Sequence, residues 1–149
     1  MQNKMVTVPI LGRPVTFHAP PHDEADFLWV DCHELVVALL GDVAAADAVL
    51  DLTAAEDAPA PPFYVRRDGR VSAFVCHPMA QALAEVCDAI LANTDMEDSD
   101  AKGPLFHAYC KVAATTNFTH WRLSIADLIA AAQNPGGPTL RNKKGASHD

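Results

Sequence analysis

The sequence predicts an α+β fold, in which a small antiparallel sheet built from hairpins packs against helices. The main observation is the stretch from Phe63 to Leu91, where β-forming residues flank Asp68-Gly69 and an amphipathic pattern follows. Asp and Gly accept the positive φ angles of a two-residue hairpin turn, so two strands are expected here. Pro78 suits the first position of a helix, because its missing N–H would have no partner there. The apolar residues that follow have the spacing of one buried helical face: Met79, Leu83, Val86, Cys87, Ile90 and Leu91.

The N-terminal segment predicts a second hairpin and a third strand. Met5–Ile10 and Val15–His18 are rich in β-branched residues, with a turn expected at Gly12-Arg13. A proline- and acid-rich loop, Ala19–Asp26, follows. The short apolar run Phe27–Val30 then suits a strand.

Two short helices are predicted after this strand. Asp31 is a suitable N-cap for a helix that runs to about Leu40, and Gly41 is its expected end. Asp42 can cap a second helix, through Val43–Leu52, whose apolar residues fall on one face. The central hairpin comes next in the chain.

The second half of the chain predicts two further helices. Pro104 can begin a helix that runs to about Val112, and Ser124 can cap a last one that runs to about Gln133. The intervening segment Thr115–Trp121 is rich in β-branched and aromatic residues, so a strand and an irregular link both stay open. Residues 1–133 are expected to form a single domain, and residues 134–149 a flexible, disordered basic tail.

Charge is unevenly distributed along the chain, whose net charge is −8. The first 60 residues hold ten acidic and two basic side chains, whereas residues 104–149 hold five basic and two acidic ones. Carboxylates repel nucleic-acid phosphates, so direct nucleic-acid binding is not expected. The N-terminus lacks the apolar stretch of a signal peptide, and no apolar run reaches the ~18–20 residues of a membrane span. We therefore expect a cytoplasmic protein with reduced cysteines and no membrane contact.

Cysteine and histidine are adjacent at Cys32-His33 and Cys76-His77, and three residues apart at His107 and Cys110. Residues three apart project from the same side of a helix and can share a metal, whereas adjacent residues diverge. A closed zinc site would need ligands from distant segments to join His107 and Cys110, and nothing in the sequence requires this. We therefore expect no metal and no cofactor.

An enzymatic alternative is a cysteine nucleophile with a histidine base. Cys76 or Cys32 would attack as a thiolate, and His107 or His120 would accept the proton. Both cysteines lie in apolar runs, so buried, unreactive thiols and no catalytic residue are expected. The seven glycines form no phosphate-binding motif.

Two charged clusters are the predicted partner-binding residues. Arg66, Arg67 and Arg70 surround the tip of the central hairpin. They could bind a phosphate or an acidic partner, or protect the sheet edge from aggregation. Four carboxylates lie in the polar connection after the long helix: Asp95, Glu97, Asp98 and Asp100. These carboxylates could stand in for the phosphates of a nucleic acid, with an affinity that falls as salt rises.

Three segments resemble the N-terminal domain of phage antirepressors and the related BRO-type domains of mobile elements. They are the hairpin PILGRPVTF, the strand and helix FLWVDCHELVVALLGD, and RRDGRVSAFVCHPMAQAL, in which a DG hairpin leads to a Cys-x-Pro helix start. The resemblance covers about residues 6–91 and implies a small α+β regulatory module that binds a repressor, its own copies or DNA. The acidic segment Pro20–Asp26 and the negative charge depart from that pattern and oppose DNA contact.

These features predict a non-enzymatic regulatory protein of a bacterium or a mobile genetic element that acts through protein–protein contacts, as an antirepressor does. The first alternative is an acidic inhibitor that mimics nucleic acid on a host defence nucleoprotein complex, as anti-CRISPR proteins do. The second is a small cysteine-dependent hydrolase or transferase. The expected partner is another protein or a nucleoprotein complex, and a homodimer stays open.

Overall fold

The computed structural model describes residues 4–53, 61–92 and 103–138. Its strands are β1 (Met5–Ile10), β2 (Arg13–His18), β3 (Trp29–Asp31), β4 (Phe63–Arg67) and β5 (Arg70–Val75). They form an antiparallel sheet in the order β1-β2-β3-β5-β4. The α+β prediction is therefore confirmed.

Both hairpins have turns with positive φ angles at two consecutive residues. Leu11 (φ 51°) and Gly12 (φ 82°) connect β1 to β2, and Asp68 (φ 48°) and Gly69 (φ 78°) connect β4 to β5. This is the type I′ geometry that matches the twist of the two strands. The first turn lies one residue earlier than predicted, because Arg13 already pairs with β1.

Five helices are described, with ends set by capping groups. They are α1 (Cys32–Leu40), α2 (Val43–Thr53), α3 (His77–Ala92), α4 (Pro104–Thr116) and α5 (Ile125–Gln133). Asp31, Asp42 and Ser124 each accept a backbone N–H of the first helical turn, as predicted. None of the described helices is long and apolar enough for a membrane span.

The main core lies between one face of the sheet and four helices. Inward-facing side chains of the strands, among them Phe17, Val30 and Val75, form one buried cluster with side chains of α1, α2, α3 and α4. The opposite face of the sheet buries a smaller cluster around Trp29 and Phe74. Side chains alternate between these two faces along each strand, which explains why one sheet serves two clusters.

A polar network fills the space beyond the short strand β3. The Asp31 carboxylate accepts from the Arg67 guanidinium at 2.7 Å, and Glu34 accepts the backbone N–H of Thr16 at 2.8 Å. Arg67 also donates to the hydroxyls of Thr16 and Ser72. Burial raises the pKa of Asp31, and its bond from the Glu34 N–H opposes that shift. Beyond the end of β3, polar groups at the N-terminus of α1 thus connect β2 to β4 and β5.

The loop between β2 and β3 ends in a fully buried carboxylate, Asp26. Its oxygens accept from the next backbone N–H, the Trp29 indole, His22 Nε2 and the N–H of Gly136, all at 2.9–3.0 Å. The carbonyl of Asp26 accepts from the Trp121 indole at 2.8 Å. A buried carboxylate is tolerated only with such partners. Asp26 thus connects its own loop to Trp121 and Gly136, which lie 95 and 110 residues later in the chain.

The packed part of the chain extends beyond the predicted domain end at residue 133. Gly136 and Gly137 are buried, and an added Cβ at Gly137 would come within 2.5 Å of the His22 ring. Gly136, which the prediction placed in the tail, binds Asp26 from 110 residues earlier in the chain. Residues 139–149 lie outside the described part.

The segment Thr115–Trp121 is neither a strand nor an irregular link. Helix α4 continues past the predicted end to Thr116, and residues Asn117–Trp121 form a π-helical turn. The hydroxyls of Thr115 and Thr116 donate to carbonyls one turn earlier, at 3.0 and 2.7 Å. These bonds explain how β-branched residues remain helical here.

Candidate functional site

An apolar groove with a volume of about 610 Å³ lies between α3, α4 and α5, and we call it the α5 groove. It is lined by Phe27, His77, Gln81, Cys110, Ala113, Ala114, Asn117, Phe118, Arg122, Leu123 and Leu128. Its volume is within the range of roughly 300–1,000 Å³ that is typical of binding pockets. The groove is therefore large enough to receive several apolar groups.

The π-helical turn forms one wall of the α5 groove. The backbone N–H of Arg122 donates to the carbonyl of Asn117, which closes the wide turn. The Asn117 side chain donates to the Ala113 carbonyl and accepts the N–H of Leu28, both within 2.9 Å. Phe118 projects from this fixed turn and is 83% exposed. π-Helical turns occur frequently at functional sites, so this wall is a candidate for recognition.

Apart from Arg122, the polar side chains that line the α5 groove are uncharged at neutral pH. Burial lowers the pKa of His77, and the charge of Asp26 opposes that shift only in part. Burial raises the pKa of Tyr109 well above its ordinary value, and its hydroxyl shares a hydrogen bond of 2.7 Å with His77 Nδ1. Gln81 donates to the Cys110 sulfur at 3.7 Å. The interior of the groove therefore suits apolar groups.

Exposed apolar side chains extend the α5 groove outward. Ile125, Leu128 and Ile129 are 79%, 48% and 52% exposed, and their spacing places them on one face of α5. Only Ala131 of this helix is buried. Leu128 lines the groove, so this row, which we call the α5 stripe, continues the apolar surface. The sequence contained the stripe, but a row with this spacing equally indicates a core-facing helix.

The three predicted arginines occupy different environments. Arg66 and Arg70 are exposed on opposite faces of the hairpin. Arg70 pairs with Arg67 and shares its face, whereas Arg66 is the neighbour of Arg67 along β4 and therefore points to the other face. Arg67 is bound to Asp31 and two hydroxyls, so its guanidinium belongs to the internal polar network. The predicted cluster thus leaves Arg66 and Arg70 accessible to a partner. The predicted carboxylates Asp95, Glu97, Asp98 and Asp100 lie outside the described residues.

The cysteines of the proposed nucleophile pairs are buried. Burial raises the pKa of Cys32 and of Cys76 to about 11, far from the range of an activated thiolate. His107 and His120 are exposed, and within the described residues neither hydrogen-bonds to a cysteine. Among the described residues, no three side chains of the metal-binding types come together as a possible site.

Comparisons with protein families, with curated proteins and with solved structures gave no match. We therefore infer the function from the geometry and chemistry of the α5 groove.

Proposed function

We propose that this chain is a non-enzymatic regulatory protein, and that the α5 groove with the α5 stripe binds a helix of another protein. The supporting observation is the exposure of Phe118, Ile125, Leu128 and Ile129 around one apolar groove. Contiguous exposed apolar surface of this kind marks interaction sites in soluble proteins.

A helix fits this surface better than an extended strand. Most of the residues that line the α5 groove belong to helices, and within the described residues no sheet edge borders it. Helix-in-groove recognition places apolar residues at every third or fourth position into such a groove. Added strands instead need free backbone groups of an edge strand.

A protein also fits better than a small ligand. A small apolar ligand would occupy the groove itself, but Ile125 and Ile129 lie outside its lining and are still apolar and exposed. A partner helix would bury both the groove lining and the stripe. Binding of a repressor, as implied by the resemblance to antirepressors, is the form of regulation that we propose for this contact. The raised thiol pKa values oppose the hydrolase alternative.

Selection from a library of helical 20-residue peptides tests this proposal. The full chain is the bait, and Phe118→Asp and Leu128→Asp variants serve as counter-baits, since both side chains line the groove. Val71→Asp, at a 60% exposed position in β5, is the matched control. We expect enriched peptides with apolar residues at helical spacing, bound equally by the wild type and Val71→Asp and at least roughly tenfold more weakly by the groove variants. Circular dichroism establishes that every variant is folded.

Peptides that bind the groove variants as well as the wild type would contradict the proposal. The proposal would also be contradicted if every peptide sequence enriched by the wild type were enriched by the groove variants as well.

A further inference from the structure

Arg122 introduces a charge at the rim of an otherwise uncharged groove. Of the residues that line the α5 groove it alone is charged at neutral pH, because His77 is held neutral by burial. Arg122 is exposed, and among the described residues it has no ion pair. The accessible Arg122 guanidinium thus borders an apolar surface that we expect a partner to cover.

The backbone holds Arg122 in a defined place. Its φ of 52° lies in the left-handed region, which is unfavourable for a residue with a Cβ. The bond from its N–H to the Asn117 carbonyl fixes this conformation, and Asn117 is itself bound on both sides of its amide. Glycine would adopt the same φ without steric cost. An arginine therefore occupies a position where glycine would fit more easily.

From this geometry we infer that the partner helix carries a carboxylate beside its apolar residues, and that this carboxylate pairs with Arg122. The inference rests on the proposed function of the α5 groove. The only acid of α5 is Asp127; it is exposed and does not line the groove. A carboxylate brought in by the partner would meet the guanidinium next to apolar side chains, where reduced solvation strengthens charge pairing. A basic amphipathic helix would meet repulsion at the same place.

The experiment uses the peptides selected on the full chain and compares Arg122→Asn with Lys111→Gln. Asn accepts positive φ, so the first variant keeps the backbone of the turn. The second removes an exposed positive charge of α4 that does not line the α5 groove. We expect the selected peptides to share Glu or Asp at one fixed position. Arg122→Asn should weaken their binding roughly fivefold at low salt, whereas Lys111→Gln should leave it unchanged.

A charge exchange gives the second arm. Arg122→Glu should bind a peptide with Lys at the fixed position more tightly than the original Glu peptide, and the wild type should show the opposite order. Both preferences should shrink as ionic strength rises from roughly 0.05 to 0.5 M.

The inference fails if the selected peptides have no acidic residue at a fixed position, or if Arg122→Asn and Lys111→Gln bind them equally. If peptide binding still depends on Phe118 in either case, the proposed function survives that failure. Peptide binding that is independent of Phe118 would contradict the proposed function itself. Both proposals fail if dodecanoate, a free apolar carboxylate, binds in an Arg122-dependent way while no peptide binds.

Discussion

Asp26 shows at the scale of one residue how a polar side chain can organise an apolar interior. It is fully buried, and its carboxylate accepts three hydrogen bonds from its own segment and one from Gly136, 110 residues later. Removing one partner of a buried charged group costs far more than removing an exposed one, since the other groups lose their partner without regaining water.

Replacing Asp26 should therefore be among the most damaging single substitutions. We expect Asp26→Ala to lower the free energy of unfolding by about 3–5 kcal/mol, and Asp26→Asn by about 1–3 kcal/mol. Urea denaturation measures this loss, and tryptophan emission gives a direct signal, because both indoles donate to Asp26. Asp23→Asn, at an exposed position in the same loop, should change stability by less than about 0.5 kcal/mol. Equal urea midpoints for Asp26→Ala and Asp23→Asn would show that the network contributes nothing.

Asp88 and Gly103 form a second critical pair. The two Asp88 oxygens accept the N–H groups of Leu105 and Phe106, both at 2.9 Å, and so cap α4 from α3. A Cβ at Gly103 would come within 2.5–2.8 Å of that carboxylate. Glycine is needed here for close approach, since the φ of Gly103 is −87° and therefore ordinary.

Gly103→Ala should displace the cap and lower the free energy of unfolding by about 1–3 kcal/mol. In an Asp88→Ala background the same change should cost less than about 1 kcal/mol, because the obstructing carboxylate is gone. Gly12→Asn is the control, since nothing lies within 4 Å of the added Cβ and Asn tolerates its positive φ. Additive losses in the double-mutant cycle would refute the close contact.

At the scale of elements, helices with the same type of cap depend on it to different extents. Asp31 caps α1 and also pairs with Arg67 inside the polar network, whereas Ser124 caps the largely exposed helix α5 through one N–H. Removing the Asp31 side chain therefore leaves the Arg67 guanidinium without this carboxylate, whereas removing the Ser124 hydroxyl leaves only one backbone N–H without its acceptor.

Asp31→Ala should lower the free energy of unfolding by about 2–4 kcal/mol, and Ser124→Ala by about 0.5–1 kcal/mol. Hydrogen exchange should separate them further. Ser124→Ala should speed exchange in α5 alone, whereas Asp31→Ala should speed it in α1 and in the neighbouring strands. Matching losses and matching exchange patterns would mean that the Asp31–Arg67 pair has no energetic role.

Elements whose ends depend on local chemistry were predictable from the sequence. Asp68-Gly69, Gly41 and Ser124 each act through their own φ angle or a bond to a residue within one turn, and each was recognised. The π-helical turn was not, because its position depends on bonds from Asn117 and Trp121 to residues 89 and 95 positions earlier in the chain. Such pairings have no local signature.

The candidate site was beyond prediction for the same reason. The predicted partner-binding residues are clusters of charge that can be recognised within one short segment. The α5 groove instead forms where α3, α4 and α5 meet, and these helices are separate in the sequence. The spacing of Ile125, Leu128 and Ile129 is visible in the sequence, but it does not distinguish a face that packs inward from one that is displayed.

For the whole molecule, the four cysteines provide a test of both fold and function. All are free; Cys32, Cys76 and Cys87 are at most 8% exposed, and Cys110 is half-buried where it lines the α5 groove. Burial raises the pKa of Cys87 to about 12. The three buried thiols are thus protected twice, because their raised pKa values suppress thiolate formation and their burial blocks access by a reagent.

A thiol-specific disulfide reagent should modify Cys110 in the folded protein and all four cysteines only after unfolding. Cys110→Ser should abolish the native-state reaction, and a bound peptide should slow it by covering the groove. Rapid modification of Cys76 or Cys32 in the folded protein would instead support the cysteine hydrolase or transferase. Mass spectrometry of the labelled protein identifies the site.

The bond between Asp26 and Gly136, 110 residues apart, has a consequence during translation. At about 5–20 residues per second, a ribosome adds Gly136 about 5–20 s after Asp26. Throughout that interval the nascent chain lacks one donor for a carboxylate that must be desolvated, so we expect the Trp29 indole that binds this carboxylate to stay exposed. This is the period in which we expect chaperones to bind the nascent chain.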